Sequence, residues 1–223
     1  MKAGITPPRL LTATVTLAFG IAAYALLASS DTGQPGFGST FAPVTTTPRQ
    51  APATTACPVR PRVEYDLATV LIPGIDPSFQ PADRARYPQG PLDAAAAARL
   101  EPNPSVERDR LASHGFQRGY QRAWTNTGSD VIGAAVYQFG DQPGAQGYMS
   151  DGASTVLRQG AEEFPVQLEG GHGFTQVDGS LTLHTVAFAR GPYFFLFFSA
   201  SEHPALTRER LIGVAVAQRD RLP

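Results

Sequence analysis

The stretch Leu181 to Ala200, LTLHTVAFARGPYFFLFFSA, constrains the fold more than any other part of the chain. Two runs of strand-forming residues flank Arg190-Gly191-Pro192, which reads as a tight reversal. In the second run Tyr193, Phe195 and Phe197 share one face of a strand, and Phe194, Leu196 and Phe198 share the other. Both faces are apolar, which predicts a central strand with material packed on each side of the sheet. A fully buried Phe contributes roughly 1.5–3 kcal/mol. The phenylalanines at 188, 194, 195, 197 and 198 therefore form the largest local block of stabilisation in the chain.

The N-terminal part has a different composition. Residues 1–9 carry Lys2 and Arg9 and read as a cytoplasmic n-region. Leu10 to Ala28 follows without a charge, and as a helix it spans roughly 28 Å, about the thickness of a bilayer core. Two readings fit it. Its length favours a retained transmembrane anchor, whereas Ala28-Ser29-Ser30 offers small residues suited to cleavage of a signal peptide. Residues 29–62 are rich in Thr, Pro and Ala and read as a disordered linker, which cannot bury enough apolar surface to fold. The sole cysteine, Cys57, lies there, so no intramolecular disulfide is possible. It stands far from the apolar span, unlike a lipoprotein cysteine.

Residues 63–223 are expected to form one extracytoplasmic domain, large enough to bury about 70% of its unfolded surface. Asp66 to Ile72 reads as a short strand or extended segment, and Pro73 to Pro91 as an irregular loop. Leu92 to Leu100, with its DAAAAARL run, predicts a helix, and Asn103-Pro104 opens a second one over Ser105 to His114. Phe116 to Thr125 and Val131 to Phe139 predict a hairpin turned at NTGSD. Asp141 caps a third helix that ends by Gly160, although Gly144, Gly147 and Gly152 each cost it about 1 kcal/mol. Phe164 to Leu168 and Phe174 to Val177 read as short strands, and Asp178-Gly179 turns into the strand from Leu181. Pro204 starts a C-terminal helix with an apolar stripe of Leu206, Leu211, Ile212, Val214, Ala217 and Leu222. Successive strands joined by short turns predict an antiparallel sheet with helices packed on it, an α+β sandwich.

From Leu100 onward the chain resembles exported actinobacterial α+β envelope domains. The resemblance rests on LASHGFQRGYQRAW (Leu111 to Trp124), VYQFGDQPGA (Val136 to Ala145), VAFARG (Val186 to Gly191) and AQRDRL (Ala217 to Leu222). The organisation is similar to PsbP-like small lipoproteins and to extracellular sensor domains of bacterial serine/threonine kinases. The resemblance implies an envelope protein that binds or senses something, and it transfers no catalytic residue. The chain departs from the lipoproteins in lacking their lipobox cysteine, and the sequence contains no kinase domain.

Motifs that carry chemistry are absent or incomplete in the sequence. The string GYMSDG at 147–152 lacks the spacing of a serine-hydrolase elbow and lies on a predicted helix. In Ser113-His114-Gly115-Phe116 the position of a transpeptidase cysteine is taken by Phe116. His114, His172, His184 and His203 form no H-x-H or H-x-x-x-H pair, so no metal and no cofactor is predicted. Glu162-Glu163 reads as a solvated carboxylate pair. With 18 basic and 19 acidic residues, no electrostatic footprint for nucleic acid is visible.

Two features remain as candidate ligand contacts. Gly170-Gly171-His172-Gly173 is either a plain loop on the sheet rim or a binding loop with His172 as a pH-responsive contact. Arg118, Tyr120, Arg122 and Trp124 alternate along one strand, where arginines beside aromatics suit an anionic ligand, or else mark an exposed edge. The expected function is non-catalytic: a domain tethered to a cell membrane through residues 10–28, or secreted if that span is cleaved. It would bind or sense an envelope lipid, glycan or protein. The alternative is an envelope hydrolase with an unrecognised active site.

Overall fold

The computed structural model describes residues 65–127 and 130–221. The n-region 1–9, the apolar span 10–28 and the linker 29–62 lie outside the described residues, as does the 126–130 turn in part. Among the described residues no helix is long and apolar enough to cross a membrane.

Thirteen elements follow in chain order: α1 (Leu67–Val70), β1 (Gln80–Pro81), β2 (Gly90–Leu92), α2 (Ala94–Ala98), α3 (Pro104–Ser113), β3 (Phe116–Thr125), β4 (Val131–Phe139), α4 (Gln142–Arg158), β5 (Glu162–Phe164), β6 (His172–Asp178), β7 (Leu181–Arg190), β8 (Tyr193–Ser201) and α5 (Pro204–Asp220). The strands form one eight-stranded sheet in the order β1-β3-β4-β8-β7-β6-β5, with β2 also paired to β3. Every ladder is antiparallel. The expected α+β class and antiparallel sheet are therefore observed.

The aromatic strand β8 occupies the middle of the sheet, between β4 and β7. Alternation sends Phe194 and Leu196 to one face, where they meet Ala97 of α2, Leu111 of α3 and Tyr148 and Val156 of α4. It sends Phe195 and Phe197 to the other face, against Leu67 and Leu71 at α1 and Leu211, Val214 and Ala215 of α5. Phe198 joins a smaller cluster with Tyr87, Val131, Leu183 and Ala200. Phe188 stacks on Phe195 with ring centroids 4.9 Å apart. The 193–198 aromatics thus fill the core ring against ring instead of lining an open surface. Opposite Phe198 on β4 stands Gly133, whose missing side chain gives the ring its place.

Helix starts follow the capping residues. Asp93, Asn103 and Asp141 each accept a hydrogen bond from a backbone N–H in the first turn of α2, α3 and α4. Four local expectations need correction. Residues 67–70 are helical, not extended: Asp66 caps them by accepting from the Ala68 N–H at 2.9 Å. The 73–91 loop contains β1 and all but the end of β2. The strand expected at 164–168 is instead Glu162–Phe164, and Leu168 turns back into the core. On α5, Ala217 is exposed, and Ala215 and Gln218 are buried in its stead.

Candidate functional site

Arg118, Tyr120, Arg122 and Trp124 share one face of β3, the face covered by α1 and α5. β3 is not an edge, because β1 and β2 pair on its outer side and β4 on its inner side. Arg122 donates from Nη2 to the Ala68 carbonyl (2.9 Å) and from Nη1 to the carbonyls of Leu71 (3.1 Å) and Ile72 (2.9 Å). Beyond the Leu67 carbonyl, which accepts from the Leu71 N–H, so short a helix has no further turn to serve the carbonyls at its end, and the guanidinium supplies donors to Ala68, Leu71 and Ile72. Gln218 of α5 completes the clamp by accepting from the Ile72 N–H (2.7 Å) and donating to the Val70 carbonyl (2.9 Å). Arg118 donates to Gln138 and to the Tyr65 carbonyl, both at 2.8 Å. Trp124 is buried, and Tyr120 is half-buried under the Arg122 guanidinium. The quartet braces the 65–72 segment against the sheet.

His172 stands elsewhere. It begins β6, with β4, β8 and β7 between it and β3, and it faces the side covered by α4. Its ring stacks on Phe174 at 5.9 Å and 9°. Its Nδ1 is 2.9 Å from Glu163 Oε1 on β5, and the two side chains are 35% and 50% exposed. The structure therefore does not bring the five sequence-predicted contacts together. His184 is buried on the opposite face, with Nδ1 at 3.0 Å from Thr175 Oγ1 and its ring edge-on to Phe164. His172 and His184 consequently form no cluster with a shared carboxylate.

A third group, not singled out from the sequence, lies between α3 and α4. Tyr148 donates to Glu107 Oε1 at 2.6 Å, Arg110 Nη2 meets Glu107 Oε2 at 2.7 Å, and the same nitrogen donates to the Tyr148 hydroxyl at 3.3 Å. The Arg110 guanidinium lies 4.6 Å from the Tyr148 ring centre. Around that ring stand Phe139, Phe194 and Tyr137, with centroids 5.1, 5.2 and 5.9 Å away. At the end of α3, His114 Nε2 is 2.8 Å from Asp151 Oδ2 of α4. Gly144 and Gly147 make this approach possible. A Cβ on Gly144 would come within 2.3 Å of the His114 carbonyl oxygen, and one on Gly147 within 2.9 Å of the imidazole. These glycines weaken α4 as an isolated helix but let α3 end against it.

Burial pushes the Glu107 carboxyl above the usual range, and outweighs the opposing pull of Arg110, Tyr148 and His114. Burial also raises the phenols of Tyr137 and Tyr148, so both stay neutral donors. For Arg110 burial opposes the charge, but Tyr148 and Glu107 prevail and hold its pKa above the ordinary value. A sequence signal for this group does exist: Glu107 and Leu111 are four apart, so the carboxylate falls on the buried stripe of α3.

No family model and no curated protein matches the chain. Among solved structures, one that the chain is similar to can be named. It is the extracellular domain of PknH from Mycobacterium tuberculosis. The match covers 70% of this chain and 95% of that one, at 9% sequence identity and a TM-score of 0.49. The likeness at that score carries nothing about ligand or activity.

Proposed function

We propose that the chain is a non-catalytic domain held outside the cell membrane by residues 10–28, where it binds or senses a ligand or partner of the cell envelope. Kinship with actinobacterial envelope domains and PsbP-like lipoproteins belongs to the same reading. The observation that carries it is how the polar groups divide. Arg118 and Arg122 are committed to backbone and amide oxygens, and Glu107, Arg110 and Tyr148 to one another. His172, a contact expected from the sequence, meets solvent with its partner Glu163 on the rim where Gly170 and Gly171 lead into β6. That rim is the proposed contact surface. A cluster of His172, His184 and a carboxylate would favour the hydrolase alternative, and the two histidines stand on opposite faces of the sheet.

The test has two arms. Protease added to intact cells should digest residues 65–221 and spare the apolar span if the tether is right. Purified envelope lipid, glycan and protein fractions should each be tested for retention of the full chain, with H172A and E163A as variants. Retention by one fraction, lost in both variants, supports the rim. Turnover of a fraction that disappears with a single polar substitution would replace this reading with the hydrolase.

A further inference from the structure

Residues 65–72 lie on the sheet without joining it. Their main-chain hydrogen bonds close within the segment, from the Thr69 and Val70 N–H groups to the Asp66 carbonyl and from the Leu71 N–H to the Leu67 carbonyl. What holds the segment down comes from side chains. Arg122 serves the carbonyls of Ala68, Leu71 and Ile72, Gln218 serves Val70 and Ile72, and Arg118 serves Tyr65. Leu67 and Leu71 enter the cluster that holds Trp124, Phe197 and Leu211. Just beyond, Pro73 and Gly74 are exposed, and a Cβ on Gly74 would meet nothing within 4 Å. The next fixed points are the Asp76–Arg210 ion pair at 3.2 Å and buried Phe79. The segment is thus a strap with a free stretch at 73–74 on which it can turn.

We propose that the strap covers a binding site for an anionic amphiphile, a carboxylate or phosphate head on an acyl chain, and that such a ligand binds by displacing the strap. The strap has the pattern of that ligand: oxygens on a guanidinium, and two leucines in the apolar cluster behind it. At the polar end it is the weaker partner. The acceptors that Arg122 now holds are neutral carbonyls. A guanidinium is a planar fork matched to the paired oxygens of a carboxylate or phosphate, and hydrogen bonds to ionised acceptors are roughly twice as strong as those to neutral ones. At the apolar end, an acyl chain would take over the burial that Leu67 and Leu71 now give Trp124 and Phe197. Tyr120, whose ring centre lies 5.4 Å from the Arg122 guanidinium, stands where head and chain would join. Gln218, fully buried on α5, works for the closed state, since both hydrogen bonds of its amide go to the strap. The site lies on the sheet face opposite His172 and does not rest on the reading of the rim.

Hydrogen exchange of the full chain in phosphatidylcholine nanodiscs tests the strap, with laurate titrated in and β8 as the reference in the same molecule. A second preparation carries phosphatidylglycerol in the nanodisc. The expected result is a several-fold loss of protection at 67–72 with laurate or with phosphatidylglycerol, an unchanged β8, and no loss with dodecanol, which has the chain without the charge. A response to laurate alone makes a free fatty acid the source of the ligand, and a response to phosphatidylglycerol makes it a membrane lipid; either supports the site. Q218L loosens the strap and keeps Arg122, so the laurate midpoint should fall several-fold. R122M loosens the strap as well, yet should retain labelled laurate several-fold less well than the native chain. Protection of 67–72 that neither anion changes in the native chain overturns the proposal, whether or not the variants fold. So does an equal response to dodecanol, or a folded R122M chain that retains laurate as the native chain does.

Discussion

Gly133→Ala tests the packing of the central strands most directly. An added Cβ would lie 1.5 Å from Cζ and 1.9 Å from Cε1 of Phe198. Phe198 is 6% exposed and enclosed by Tyr87, Val131 and Leu183, so its ring has no free direction of retreat. Alanine is intrinsically better than glycine in a strand by about 0.5–1 kcal/mol. Overpacking of a filled core costs about 1–3 kcal/mol, and expelling the ring would forfeit roughly 1.5–3 kcal/mol of burial. The loss exceeds the gain, so the variant should be less stable by about 1–2 kcal/mol. With a urea slope of about 1–3 kcal/mol per molar, the midpoint should fall by roughly 1 M. Trp124, the chain's single tryptophan, is buried on the neighbouring strand and reports unfolding by fluorescence. Phe198→Leu should destabilise the native chain yet restore part of the loss in the Gly133→Ala background. A Gly133→Ala midpoint at or above the native one, or strict additivity of the two substitutions, would refute the reasoning.

Other outcomes follow from the polar contacts. Arg122→Met should release the 65–72 segment, seen as rapid proteolysis there while the β4–β8 amides stay protected; Arg122→Lys should restore it only partly, since three carbonyls are served by a two-nitrogen fork. Tyr148→Phe removes a hydrogen bond to a charged group and should cost about 1.5–3 kcal/mol. Because that bond helps to hold the Glu107 carboxyl down, its loss lets the carboxyl rise further, and the cost should be larger at pH 8 than at pH 6 in urea unfolding. Glu107→Ala leaves Arg110 buried without its carboxylate and should cost about 3–5 kcal/mol by thermal or urea unfolding. His172→Ala and Glu163→Ala, at an exposed pair, should stay within about 0.5–1 kcal/mol of the native chain by the same measure.

What the sequence made legible was what local pattern controls. Period-two aromatics in 193–198 marked the central strand, and Asp141 marked the start of α4. Residues 67–70 misled because DLATVLI has strand-forming composition, and the groups that make it a helix come from Arg122 and Gln218, some 50 and 150 positions away. The β3 quartet was read correctly as one face, but its arginines point to backbone carbonyls that no periodicity locates. The seam between α3 and α4 was half visible. Glu107 on the Leu111 stripe could be read from spacing, whereas its partner Tyr148, 41 residues later, is set by how α4 crosses the sheet.

The sheet order also divides the chain by history. Everything on one side of β8 comes from strands β1 to β4, and β5 to β7 lie on the other, so two sequence-contiguous halves meet along a single ladder, Val131–Gln138 against Tyr193–Ala200. β5 to β8 and the β3–β4 hairpin close over short connections and β1 and β2 reach β3 across α2 and α3, but the β4–β8 ladder closes a loop of more than fifty residues, including all of α4. Contacts of such range form late and slowly. Until they do, the most apolar ribbon of the molecule has an open flank, and its safe zipping depends on β4 arriving before another chain does.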